Sequence, residues 1–306
     1  MKKQLLAAIA LLTLAVTLIL SIVGSHRLRL SLPEGFEGVG VAMAEVAPTS
    51  YLQALATTCA PQASLAASTP APDILALRRA LMFQPSALPL ERFRRLSGES
   101  TSASRPNEEI ALIDPTNYGE RFLKDLAGRP ALREPIVVLH ETVGSAFSTL
   151  NFFRTAHPDD NDQASYHALV NRDGTIVYLV PPDKRAYGAG NSVFVGPQGM
   201  EAVQTNPNLP GSVNNFAYHI SLESPPDGRG NATRHSGYTE AQYQSLAWLV
   251  AKTGVPDGRI TTHQRVDRSG SRMDPRSFDT AKFTALLQAL PRTQDISIQC
   301  TEPSPA

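Results

Sequence analysis

The chain has 306 residues, with 28 Lys plus Arg balanced by 28 Asp plus Glu, and 18% of its residues are charged. A neutral chain without a basic run is a poor partner for nucleic acid, whose capture rests on clustered Lys and Arg. The length allows one or two domains and a sizeable core, and the 24 prolines point to irregular segments beside it.

Lys2 and Lys3 precede Leu5–Val23, an uncharged stretch of about nineteen residues, long enough to cross a bilayer as a helix. A cleaved signal peptide has a shorter apolar region followed closely by a small-residue site. Here His26, Arg27 and Arg29 come next, and Ala42-Met43-Ala44 is the nearest small-x-small site. The reading favours an uncleaved anchor over residues 1–24, with a cleaved signal as the alternative. Either way the chain is expected to be exported to the periplasmic side of a cell envelope, with the membrane as a partner of this segment. Residues 25–108 read as an extracytoplasmic linker or extension, with Ser68-Thr69-Pro70-Ala71-Pro72 its low-complexity piece and weak helical spacing over Asp73–Met82. The two cysteines, Cys59 and Cys300, stand near opposite ends. In an oxidising compartment they would form one disulfide tying the extension to the C-terminal tail, residues 296–306; otherwise they are two free thiols.

From Glu109 to about residue 295 the chain reads as one domain. Tyr118–Leu126 allows a short helix, ended by Gly128 and Pro130. Pro135–His140 is a continuous apolar run, as expected of a central strand buried on both faces, and it stops on His140-Glu141-Thr142. Ser145 can cap a helix carrying Phe147, Leu150 and Phe153 on one face. The acidic loop His157–Asp162 is read as solvated. Tyr166–Val170, the Asp173-Gly174 turn and Thr175–Val180 form a β-hairpin signal. Pro181–Gly211 is a long loop of the kind that is usually functional. Tyr218–Glu223 is a further strand, Thr239–Gln242 a capping box that opens a helix ending at Gly254, and Arg259–Thr262 a last strand. Asp279 caps a final helix with Phe283, Leu286, Leu287 and Leu290 on its apolar face. Strands alternating with three helices indicate an α/β domain with a central mixed β-sheet flanked by helices.

The chemistry concentrates at strand ends. His263 follows the last strand, and Asp274-Pro275 stands eleven residues later across a charged, Gly-containing loop. His140 ends the central strand, so the three make a His-His-Asp set that zinc accepts with one position open. Zinc there would polarise a carbonyl and acidify water, and Arg272 is placed for the developing oxyanion. His167 points away from Tyr166 and reads as structural; His219 and His235 read as structural or surface. Trp248 reads as core. A serine hydrolase is disfavoured by the lack of a Gly-x-Ser-x-Gly elbow.

Several motifs now agree in order: Val137-Val138-Leu139-His140, Ser165-Tyr166-His167 leading to Arg172-Asp173-Gly174, Val180-Pro181-Pro182-Asp183-Lys184-Arg185-Ala186-Tyr187, the capped helix from Thr239, and His263…Asp274-Pro275. Over Ile136 to Phe283 the chain resembles the zinc-dependent N-acetylmuramoyl-L-alanine amidases related to peptidoglycan recognition proteins. The resemblance implies zinc on His140, His263 and Asp274. It implies hydrolysis of the amide between N-acetylmuramic acid and L-alanine in peptidoglycan or muropeptides, or, alternatively, a non-catalytic peptidoglycan-binding module of the same fold. Members of this family use a tyrosine or a glutamate in catalysis, with a lysine two residues before the third ligand. Tyr166 matches the tyrosine. The glutamate position falls on Ser221, with Glu223 two residues on, and Arg272 replaces the lysine, keeping the charge with a different geometry. Tyr187 resembles an aromatic lining the substrate groove, with loop packing as the alternative.

Overall fold

The computed structural model describes residues 59–63, 75, 76, 79, 88–96, 105–230 and 232–301. All described residues belong to one compact unit within Leu52–Ala306. The anchor or signal over residues 1–24, the low-complexity piece, and the apolar positions of the weak helix at 73–82 lie outside them. Among the described residues no helix is long and apolar enough to cross a membrane.

The central sheet has six strands, labelled in chain order. They are β1 (Glu108–Ile110), β3 (Ile136–Glu141), β4 (Ala168–Val170), β5 (Ile176–Tyr178), β9 (Ala217–Leu222) and β10 (Ile260–Thr262). Across the sheet they run β1-β5-β4-β9-β3-β10, parallel except for the β4–β5 hairpin. The hairpin closes through Gly174 at φ 88°, a left-handed conformation that glycine adopts without strain. Every residue of β3 and of β9 is buried, as continuous apolar strands with both faces covered should be.

One face packs on helices α2 (Glu240–Ala251) and α4 (Thr280–Gln288). There Val137, Leu139, Tyr218, Ile220 and Leu222 meet Leu246, Leu249, Phe283 and Leu287. Trp248 is in this core. Thr239 and Gln242 form the reciprocal capping box that starts α2, satisfying backbone donors the helix leaves orphaned. On the opposite face Ile136, Val138 and Ala217 pack with Phe194, Val203, Val213 and Val266. This second face carries the site.

Three expectations change. Tyr118–Leu126 is no helix: Tyr118–Glu120 is strand β2, antiparallel to β6 (Lys184–Ala186), and Arg121 turns inward to donate to the Pro182, Asn215 and Ala217 carbonyls. The backbone donors are taken up outside any helix, Phe122 N by Asn215 Oδ1 and Leu123 N by the Ala60 carbonyl. Helix α1 (Ala146–Arg154), capped by Ser145, buries Phe153 but leaves Phe147 74% exposed, so its apolar face is narrower than the spacing suggests. The long loop folds partly into β6 and a hairpin of β7 (Phe194–Gly196) with β8 (Gly199–Glu201).

Parts of the segment read as a linker pack on the domain. Ala60 bridges to Phe122, and Phe93 is buried and stacks on Tyr178 with ring centroids 5.3 Å apart. Arg94 donates to both carboxylate oxygens of Glu108, and Arg92 pairs with Asp183. The Cys59 and Cys300 sulfurs are 2.01 Å apart, a disulfide across 241 positions.

Candidate active site

His140 is the penultimate residue of β3, and β10 runs beside β3 in parallel with Thr262 opposite Leu139. His263, the next residue, therefore arrives at the same edge as His140. It opens α3 (His263–Val266), which Thr262 caps by accepting from Arg265 N. The charged loop after α3 is held by Asp267, whose carboxylate accepts from the amides of Ser269 and Arg272. The loop ends by returning Asp274 to the two histidines.

Nδ1 of His140 and Nδ1 of His263 lie 3.3 and 3.1 Å from the Asp274 carboxylate. One donor atom from each of the three residues lies within 4.8 Å of the others. His140 is fully buried and the other two nearly so. Burial pushes the His140 imidazole down to about 4, against the Asp274 hydrogen bond that raises it. Burial alone would raise Asp274, but the hydrogen bonds and charges of His140 and His263 hold it well below the usual carboxylate range. A buried carboxylate facing two imidazole nitrogens is a donor set that suits a divalent cation such as zinc.

The cluster opens on a groove of about 540 Å³ whose lining includes Tyr166, Arg185, Tyr187, Gly188, His263 and Arg272. The Tyr166 ring sits 4.7 Å from that of His140. Burial and the Asp274 charge push its hydroxyl above its ordinary value, so Tyr166 is an O–H donor at neutral pH rather than a base. Arg272 is exposed in the groove. Tyr187 lines the groove with the Arg185 guanidinium 5.2 Å over its ring.

Glu223 is a correction. Its carboxylate accepts from Ala146 N at the start of α1 and from Arg172 N in the hairpin turn, both at 3.1 Å. It fastens two loops and does not line the groove. Ser221, in register with His140, is buried and faces the Tyr166 hydroxyl. His167 is structural: its Nδ1 accepts from His219 N at 3.0 Å, and its Nε2 lies 3.1 Å from the Lys184 carbonyl.

Sequence reasoning missed two groups beside the site. Glu141, one residue past His140, is bonded by Arg276, two residues past Asp274. His219 Nδ1 lies 2.9 Å from His140 Nε2. Strand alternation could have placed Glu141 opposite to His140, but nothing local pairs it with Arg276 across 135 positions.

A His-His-Asp cluster at the carboxyl edge of a mixed sheet, open to a groove, is an arrangement that could hold a metal ion. Residues 132–277 match the family model of N-acetylmuramoyl-L-alanine amidases. Curated relatives include the 1,6-anhydro-N-acetylmuramyl-L-alanine amidases AmpD of Citrobacter freundii, 34% identical over 129 residues, and of Escherichia coli K12, 40% identical over 130 residues. Each match covers 41% of this chain, and the chain spans 58% and 59% of the length of these relatives. A crystal structure of an AmpD derivative aligns over 62% of this chain and 98% of its own, with 25% identity and a TM-score of 0.42.

The comparisons also correct the expected location. The AmpD relatives are cytoplasmic enzymes. The exported, membrane-anchored placement is therefore withdrawn. Its basis, the apolar stretch after Lys2 and Lys3, was composition alone, and it falls outside the family match.

Proposed function

We propose that the protein is a zinc amidase that hydrolyses the bond between N-acetylmuramic acid and L-alanine in peptidoglycan fragments. The observation that carries this reading is the convergence of His140 Nδ1, His263 Nδ1 and the Asp274 carboxylate beside the groove. These three residues would hold the ion. When bound, zinc supplies a Lewis acid for the scissile carbonyl and lowers the pKa of water.

The chain's own groups do the rest. Tyr166, kept protonated, donates its O–H to the oxygen on which charge develops, and the Arg272 guanidinium adds a cation to the same side. Tyr187 offers an aromatic face to the sugar–peptide backbone. The activity for which the AmpD relatives are named, on a 1,6-anhydro sugar, supports soluble anhydro-muropeptides over intact wall as substrate. We assign catalysis to residues 109–295, with 25–108 as an extension and 296–306 as a tail joined to it by Cys59 and Cys300.

The full-length protein should release free stem peptide from an anhydro-muropeptide, lose that activity to a chelator, and regain it with zinc. His263→Ala should lower the rate by about 10³-fold or more, since several kcal/mol of transition-state stabilisation would go with the ion. Turnover that survives complete metal removal would refute the mechanism. Zinc and muropeptide binding without turnover would indicate a recognition module instead.

A further inference from the structure

We propose that His219 is a positioning residue for His140, accepting the Nε2–H of His140 and so holding its Nδ1 bare and aimed at the metal. The inference rests on the zinc reading above and extends it to a residue outside the ligand set. A histidine that ligates through Nδ1 must carry its proton on Nε2, and what that nitrogen bonds to decides the tautomer and the ring's aim. For His140 the partner is Nδ1 of His219, 2.9 Å away.

The neighbouring strands create this pair. In the β3–β9 register Val138 faces His219 and His140 faces Ser221, so His219 is the diagonal neighbour of His140 on the site face of the sheet. Its ring is fully buried and held from several sides. The backbone N–H of His219 donates to His167 Nδ1 at 3.0 Å, and the two rings lie nearly parallel, 5.8 Å apart. The third side is Gly188, in the wall of the groove. A Cβ there would come within 2.4 Å of His219 Nδ1, so the ring fits only because residue 188 has no side chain. The other nitrogen, Nε2 of His219, has no hydrogen-bond partner in the protein. An imidazole that leaves one buried nitrogen unsatisfied is a poor choice for packing alone. It is intelligible where the first nitrogen has a task.

The test is zinc affinity of the full-length protein, measured by competition with a chromophoric chelator. His219→Leu, which keeps the bulk and removes the acceptor, should weaken zinc by about 10–100-fold, the range for loss of an outer-shell partner. His219→Asn should recover most of it, because its side-chain oxygen falls near the position of Nδ1. Gly188→Ala, which removes no polar group and displaces the ring, should weaken zinc as His219→Leu does. In the zinc-loaded, ¹⁵N-labelled protein, a scalar coupling should join the protonated Nε2 of His140 to an unprotonated Nδ1 of His219. Zinc binding by folded His219→Leu within about twofold of the parent would overturn the proposal, as would a protonated Nδ1 on His219. Should His219→Leu not fold, Gly188→Ala and the coupling decide. If the parent binds no zinc, or if His263→Ala binds it equally well, the metal reading itself fails and takes this one with it.

Discussion

His140 and Glu141 are consecutive residues at the end of β3 and face opposite sides of the sheet, and the two clusters they anchor are built for different ends. On the groove side His140 meets His263 and Asp274, a buried carboxylate with two imidazoles and no cation of its own. On the other side the Glu141 carboxylate takes Arg276 N and Nε on one oxygen, and Arg276 Nη2 and Ser224 Oγ on the other. Arg276 in turn donates to the Gly228, Gly230 and Ala232 carbonyls. That cluster pairs its opposite charges, with the buried His235 Nε2 3.3 Å from the same Glu141 carboxylate. Asp274 and Arg276 flank Pro275, so one short loop is gripped from both sides of one strand. The contrast teaches that the cluster around Glu141 fixes where Asp274, the third member of the other one, stands.

The comparison breaks most visibly on the Glu141 side. Glu141→Leu leaves the Arg276 guanidinium buried without its counter-charge, which costs about 3–5 kcal/mol when one partner of a buried pair is removed. Urea unfolding should show that loss. Arg276→Met in the same background should restore part of it, because the orphaned charge goes too. A Glu141→Leu protein as stable as the parent would mean the pair is no brace.

On the open side the sharper probe is Tyr166→Phe. The ring contact with His140 and with Phe153, at 5.3 Å, survives this change, and the O–H does not. Loss of one donor to a developing oxyanion typically lowers kcat by about 10²–10³-fold, with KM and zinc content little changed and unfolding midpoint close to the parent's. Unaltered kcat would remove Tyr166 from the mechanism.

The sequence and the structure part company along physical lines. Elements specified by local chemistry were legible: the buried strand ending on His140, the Asp173-Gly174 turn, the Thr239–Gln242 capping box, and the face of α4. Motif order also drew His140, His263 and Asp274 into one expected cluster. What stayed hidden depends on pairing over long separations. Tyr118–Glu120 became a strand because β6 lies beside it, a fact no local spacing contains. Glu223 looked like a spare catalytic carboxylate because period two puts it on the face of Ser221. The strand ends at Leu222, and the next side chain turns to the amides of Ala146 and Arg172. His219 had no partner at ligand spacing; its partner is on the neighbouring strand.

A smaller effect separates the two kinds of cluster by pH. Burial alone would raise Glu108, but hydrogen bonds from Arg94, Tyr178 and Arg105 hold its carboxyl below the usual value. Asp183 is likewise held down, burial being outweighed by the Arg92 pair and by Lys184. Asp183 ties the extension to the domain through Arg92, and Glu108, at the start of β1, ties Arg94 to the edge of the sheet. A carboxyl whose folded pKa is depressed adds stability that is complete above its unfolded value, about 3.9–4.3. That stability is lost as pH falls through the folded value, because the unfolded chain binds more protons. The part of the urea midpoint that these two carboxylates supply should therefore be constant from neutral pH down to about pH 5 and decline below it. Glu108→Gln, which cannot titrate, should make the decline shallower while lowering the plateau. A decline of equal slope in Glu108→Gln would show that acid acts elsewhere than on this brace.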